Sequence, residues 1–378
     1  MKELRVALIG GGFMGKAHSL AYAIAPFADS LGAAVTRQVL VEASPDLATR
    51  FAAELGWAES SADWRAVIER PDIDIVDICT PPQFHAAIAL AAIEAGKHVF
   101  CEKPITNDAA EARAMREAAR AAGVVVQVGF NYRHTPAVRF AKQLLDSGAL
   151  GVPLQFRGSY LQETAFTADP HRWRATRATG GSGTVGDIGS HIIDMAEYLF
   201  GDIRKVAARA RSKIQPDPGT GWMDERRRLD EDLIEEAGVW VAEFANGAIG
   251  TFAVDNWAIG SKNRISFEFD ATKAAVQFDW NDREVFRVAY VDDPPDHQGF
   301  REIHTNSTHP DGWWKLAGLG TGYLEVSAIQ LQKFLRAAAA GEPAEPDFTT
   351  GTHVQQVVEA IMTAATTDTW VDVTPREA

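Results

Sequence analysis

The six residues Gly10-Gly11-Gly12-Phe13-Met14-Gly15 constrain this chain more than any others. They follow directly on an apolar run at 4–9 and lead into a helical pattern at 13–25. G-x-G-x-x-G carries weight in that strand–turn–helix setting, where each glycine has a task. Gly10 makes the tight turn, Gly12 lets a pyrophosphate touch the backbone, and Gly15 lets the helix pack close to the sheet. The helix N-terminus then faces the phosphates with its positive end. Around the motif, apolar β-branched runs at 35–41, 73–79, 98–102 and 124–128 alternate with helical patterns at 83–95 and 109–122 and one opened by Ser44-Pro45. Such alternation predicts parallel βαβ units and a doubly wound sheet.

Glu42 closes the second strand-like run. An acid at that point accepts hydrogen bonds from the ribose 2′- and 3′-hydroxyls and repels a 2′-phosphate, which favours NAD over NADP. Its distance from the glycines exceeds the usual ~20 residues, so a long helix or loop must lie between. The plainer alternative is a solvated acid at a strand end.

The rhythm changes near residue 130. One helix is predicted near 137–145, followed by strands at 152–163, 203–211, 237–245, 248–257, 263–269, 274–280 and 285–291. Asn246-Gly247 between two alternating runs marks a hairpin. Segments 212–235 and 292–322 lack periodicity and read as long loops. Val354, Val357, Val358, Ile361 and Ala365 form a helical stripe. With 378 residues, enough for two domains, the expected fold is α/β. It comprises an N-terminal Rossmann domain at 1–130 with a doubly wound parallel sheet. A C-terminal α+β domain at 131–378 carries a large open, mostly antiparallel sheet.

There are 37 Lys and Arg residues against 51 Asp and Glu, a net charge of −14. That disfavours nucleic acid and anionic membrane as partners. Cys79 and Cys101 sit in apolar runs, so they read as buried thiols, with no disulfide framework and no zinc site. No metal is expected. No apolar run reaches the length of a membrane span, and the strand-like start leaves no room for a signal peptide. A cytoplasmic enzyme is the expected class.

The chemistry-bearing residues lie elsewhere. Glu102-Lys103-Pro104 follows a strand, and Pro104 holds Lys103 extended at the strand's carboxyl end, where open α/β sheets place ligands. Asp187 and His191, in Gly186-Asp187-Ile188-Gly189-Ser190-His191, fall one turn apart if a helix starts near Asp187. The glycines around them let backbone approach a cofactor or substrate. An acid and a histidine so placed, facing a lysine, can take a proton from a hydroxyl while hydride leaves its carbon. Tyr160 and Gln162 share one strand face and suit neutral hydroxyls.

With these motifs the chain resembles the Gfo/Idh/MocA family, the glucose-fructose oxidoreductase and inositol dehydrogenase group. Further markers are Asp77-Ile78-Cys79-Thr80-Pro81-Pro82 with His85, Gly96-Lys97-His98-Val99, Asn131-Tyr132-Arg133, and Pro346-Asp347-Phe348 with Gly351. The resemblance implies Lys103, Asp187 and His191 as the catalytic set. It also implies NAD contacts from Gly10, Gly12, Phe13, Met14, Gly15, Glu42, Thr80, Pro81, His85, Glu102 and Lys103. Tyr132, Tyr160, Gln162 and Trp173 are the implied substrate contacts beside the catalytic three, with His171, Arg172, His309, Trp313 and Trp314 as further pocket candidates. A frequently cis Lys103-Pro104 peptide and a homo-oligomer, dimer or tetramer, complete the expectation. The expected activity is oxidation of a secondary ring hydroxyl of an inositol, aldose or anhydrosugar. Two alternatives stay open: a glycoside hydrolase that retains NAD through oxidation, elimination and reduction, and a non-catalytic NAD-responsive regulator.

Overall fold

The computed structural model describes residues 2–28, 31–166, 180–212 and 234–377. It separates into two compact units, Met1–His134 with Thr321–Thr352, and Thr135–Gly320 with His353–Ala378. Among the described residues no helix is long and apolar enough to cross a membrane. His171, Arg172, Trp173 and most of the segment 212–235 lie outside the described residues.

The first unit runs β1 (Lys2–Ile9), α1 (Phe13–Ala28), β2 (Ala33–Val41), α2 (Pro45–Leu55), β3 (Glu59–Ser61), α3 (Trp64–Ile68), β4 (Ile75–Ile78), α4 (His85–Glu94), β5 (His98–Cys101), α5 (Ala109–Ala122) and β6 (Val126–Val128). The described strands form one parallel sheet in the order β3-β2-β1-β4-β5-β6. Strand order reverses between β1 and β4, and ligands of such sheets bind outside the strand ends at that point. Local chemistry sets the helix ends. Ser44 caps α2 ahead of Pro45, and Asp108 caps α5 by accepting the Ala110 and Glu111 N–H groups. Every residue of β4 is buried, as expected of a strand covered on both faces. Short β3 and α3 carry too few residues to show a period in sequence. The helix Tyr323–Ala340 also packs in this unit. Its Gln332 donates to the Ala25 carbonyl at 2.5 Å and its Gln330 to that of Val128 at 2.7 Å.

The second unit holds α6 (Pro136–Asp146), β7 (Pro153–Leu161), α7 (Ser190–Phe200), β8 (Ile203–Ser212), β9 (Glu235–Phe244), β10 (Ile249–Asp255), β11 (Arg264–Ala271), β12 (Ala274–Asp279), β13 (Val285–Tyr290), β14 (Arg301–His304) and β15 (Val371–Asp372). The sheet order is β14-β13-β12-β11-β7-β10-β9-β8-β15, antiparallel except for the β7–β10 pair. Edge strand β14 falls inside 292–322, so that segment is not a loop throughout. Its four residues are mostly exposed and alternate no apolar face, which hid it in sequence.

Strand alternation gives this sheet two faces. On the buried one, Trp240, Phe252, Phe156, Phe267 and Phe278 form a ladder with neighbouring centroids 5.0–5.5 Å apart. Gly158 makes room for it, since a Cβ there would lie 2.7 Å from the Phe156 ring and 2.8 Å from Ile192. The opposite face exposes Val239 and Val241 of β9 and Ile249 of β10 beside Arg157 and Glu268, which form an ion pair.

Candidate active site

The glycine loop is shaped by packing on one side and open on the other. Gly10 has φ +103°, and a Cβ there would sit 2.7 Å from the Cys79 carbonyl oxygen. A Cβ on Gly15 would lie 2.0 Å from the Gly10 oxygen, whereas Gly12 has nothing within 4 Å. Glu42 reaches back to this loop. Its Oε2 accepts the Gly11 N–H at 2.8 Å, and its Oε1 accepts the Ala43 N–H at 2.9 Å. A cavity of about 320 Å³ opens beside it, lined by Gly10, Glu42, Thr80 and Pro81 from the sequence-derived set. Trp64 and Arg65 of α3 line it as well, with the guanidinium 4.1 Å from the indole centroid. The Thr80 hydroxyl is buried there with no hydrogen-bond partner among the described residues. Bare backbone, a fixed carboxylate and apolar walls suit the adenosine half of a dinucleotide. Nothing in the sequence marked Trp64 and Arg65, because α3 itself was not legible.

Phe13 is 76% exposed, and Met14 accepts a hydrogen bond from the Tyr323 hydroxyl. His85 differs from expectation. It is fully buried, with Nε2 2.8 Å from the Thr80 carbonyl and Nδ1 3.1 Å from that of Pro104. Burial lowers its pKa, and the ring fixes the backbone of Thr80 and Pro104 beside the cavity.

At the end of β5 the Lys103-Pro104 peptide is cis. Glu102 accepts the Lys103 N–H at 3.1 Å through Oε2, while its Oε1 lies 3.1 Å from His18 Nε2. His18 Nδ1 lies 2.9 Å from Asp77, and all three side chains are buried. An imidazolium has two N–H groups to give, which suits two ring nitrogens set on two carboxylates. Burial alone would lower the His18 pKa. Asp77 and Cys79 outweigh it and hold the ring well above its ordinary range. Burial, and then Asp77, push the adjacent Cys79 thiol up. This cluster escaped sequence reasoning, since His18, Asp77 and Glu102 meet only after α1, β4 and β5 are folded together.

In the second unit a π-turn, Val185–Gly189, leads into α7, so the helical path begins two residues before Asp187. Such turns often accompany functional sites. The Val185 N–H donates to buried Glu235, and Asn256 donates to Thr184 at 2.7 Å. A Cβ on Gly183 would come within 2.1 Å of the Glu235 carbonyl oxygen. That glycine is pressed on β9, where a side chain would not fit. Asp187 is half-buried and His191 is 5% exposed. The Tyr160 ring stands 6.0 Å from the His191 ring, and Gln162 lies beside Tyr160. His309 packs edge-on against Phe140, with centroids 4.9 Å apart. Tyr132 belongs to the first unit, buried with its ring 6.1 Å from that of Tyr323. Lys103 likewise lies in the first unit, and Asp187 and His191 in the second.

Residues 4–130 match the GFO_IDH_MocA family, described as an oxidoreductase family with an NAD-binding Rossmann fold. Residues 138–277 match the GFO/IDH/MocA C-terminal domain. The levoglucosan dehydrogenase of Pseudarthrobacter phenanthrenivorans is 42% identical, with 99% of each chain covered. The scyllo-inositol 2-dehydrogenase (NAD(+)) of Bacillus subtilis is 32% identical over 66% of each. A solved levoglucosan dehydrogenase in complex with NADH and levoglucosan superposes with a TM-score of 0.91 at 41% identity, covering 100% of both chains. Glycine loop, parallel sheet and open mixed sheet agree with these matches from end to end: the chain belongs to the GFO/IDH/MocA family of NAD-binding oxidoreductases.

Proposed function

We propose that this oxidoreductase oxidises a secondary hydroxyl of a neutral sugar ring to the ketone, with the anhydrosugar levoglucosan as first candidate and inositols as second. The observation that carries the reading is the company His191 keeps. A buried imidazole stands beside Tyr160, which Gln162 in turn contacts, in a chain similar to a levoglucosan dehydrogenase along its whole length. Bound NAD supplies the hydride acceptor. His191 takes the hydroxyl proton as general base. Lys103 hydrogen-bonds the same oxygen and steadies its developing negative charge. Asp187 orients the imidazole or the sugar. Tyr132, and Trp173 outside the described residues, complete the proposed substrate set. Gly12, with the open loop of Gly10, Phe13, Met14 and Gly15, receives the pyrophosphate. Glu42 receives the adenosine ribose, and Thr80, Pro81 and Glu102 complete the cofactor wall.

The exposed sheet face supports a homo-oligomer, dimer or tetramer. Val239, Val241 and Ile249 are 40–54% exposed there, and self-association would remove them from water. A cytoplasmic location accords with buried, unpaired Cys101.

The deciding experiment incubates the protein with NAD or NADP and levoglucosan, inositols or aldoses, following NADH absorbance. Net NADH with levoglucosan and NAD, favoured at alkaline pH because a proton is released, is the expected result. Sugar turnover without net NADH would transfer the case to the NAD-retaining hydrolase, and no turnover with any ring would overturn the proposal.

A further inference from the structure

Asn263 immediately precedes β11, which pairs antiparallel with β7 so that Ile265 faces Tyr160. Its Oδ1 accepts two hydrogen bonds, from the Tyr160 hydroxyl at 2.7 Å and from Gln162 Nε2 at 2.8 Å. Gln162 Nε2 also approaches the Tyr160 oxygen at 3.4 Å. A phenol has one hydrogen to give and a primary amide two. All three are therefore committed within this triad. With their hydrogens turned to Asn263, Tyr160 Oη and Gln162 Oε1 act as acceptors.

We infer that Asn263 is a positioning residue that sets the polarity of the pocket wall beside His191. By holding these hydrogens it makes Tyr160 and Gln162 acceptors, which read hydroxyl donors and reject carboxylates. The chemical class so selected is the neutral polyhydroxyl ring, as against acidic sugars such as uronates. Meeting a carboxylate would set lone pair against lone pair, and a mismatch of that kind discriminates far better than a change in apolar size. The inference rests on the proposed role of Tyr160 and Gln162 as substrate groups.

The test compares Asn263→Leu, which has no acceptor, with Asn263→Asp, which keeps one. Three quantities are measured: KM for levoglucosan, KM for NAD, and Ki of D-glucuronate as a competitor of the sugar. In Asn263→Leu, Gln162 is free to turn a hydrogen outward. The ratio of levoglucosan KM to glucuronate Ki should rise about tenfold, the loss of roughly one hydrogen bond's discrimination. NAD KM should hold. Asn263→Asp should keep the levoglucosan KM and the rejection of glucuronate. General damage to the fold would weaken both ligands together and leave the ratio where it was. An unchanged ratio in Asn263→Leu, or the same shift in both variants, overturns the inference. Should Asn263→Leu not fold, Asn263→Ala, which also lacks an acceptor, makes the same comparison at smaller volume. Tyr160→Phe and Gln162→Ala separate the two levels. If neither alters the sugar KM, the substrate reading of that strand fails. If they do and the Asn263 ratio stays fixed, only the role of Asn263 fails.

Discussion

The roles proposed for Lys103 and Glu42 are separable, so each is tested by removing its side chain alone. Lys103→Ala deletes the cation proposed to meet the reacting oxygen and leaves the glycine loop as it is. Turnover should fall about 10²–10⁴-fold, the usual contribution of one positioned proton-handling group. NAD affinity, followed by quenching of protein fluorescence, should remain. A variant that keeps near-normal kcat would remove Lys103 from the mechanism. Glu42 is tied to Gly11 and shares its cavity with Arg65. Glu42→Ala removes the repulsion of a 2′-phosphate and leaves a guanidinium nearby to meet one. The ratio of kcat/KM for NAD over NADP should drop at least about tenfold, and Arg65→Ala on top of it should take the gained NADP activity away. An unchanged ratio in Glu42→Ala would strike that acid from the cofactor set.

At the scale of elements, the joint between α1, β4 and β5 is electrostatic. His18 is buried between Asp77 and Glu102, and removing one partner of such a cluster typically costs about 3–5 kcal/mol. Because the His18 pKa is raised on folding, its contribution is complete below the ordinary imidazole value and fades as pH climbs through the folded value. Urea titrations should accordingly show the gap between the native protein and His18→Gln to be largest near pH 6 and narrower at pH 9. A gap that widens with pH would mean the ring is neutral in the native protein. In the second unit, Phe156→Ala opens the middle of the aromatic ladder and should cost about 3–5 kcal/mol by the same titration. The legibility of these elements divides along similar lines. Strands β7 to β13 could be read because an open sheet, helix-covered on one face, writes its two faces as alternation. The Gly10–Gly15 loop could be read because its backbone demands glycine. What stayed hidden depends on encounters between distant segments: His18 with Glu102, Asn263 with Tyr160, and the helix Tyr323–Ala340 with the sheet of the first unit. No local period records such meetings.

For the molecule as a whole, the exposed face of the open mixed sheet is the feature a single copy leaves unexplained. Val239→Glu combined with Val241→Glu puts two carboxylates into an apolar stripe between ion pairs. Sedimentation should then show a smaller species than the native protein, while the first unit still binds NAD. If the native protein sediments as a monomer, that face has some other use. The borders of the same sheet carry a different consequence. One is β14, where Arg301, Glu302 and His304 accompany a single aliphatic residue, and the other is β15, only two residues long. A charged margin such as β14 gives a stranger's backbone little to zip onto. Should copies associate, such a margin favours stacking back to back, an arrangement that closes on itself, over side-by-side accretion, which has no natural end and leads to fibrils.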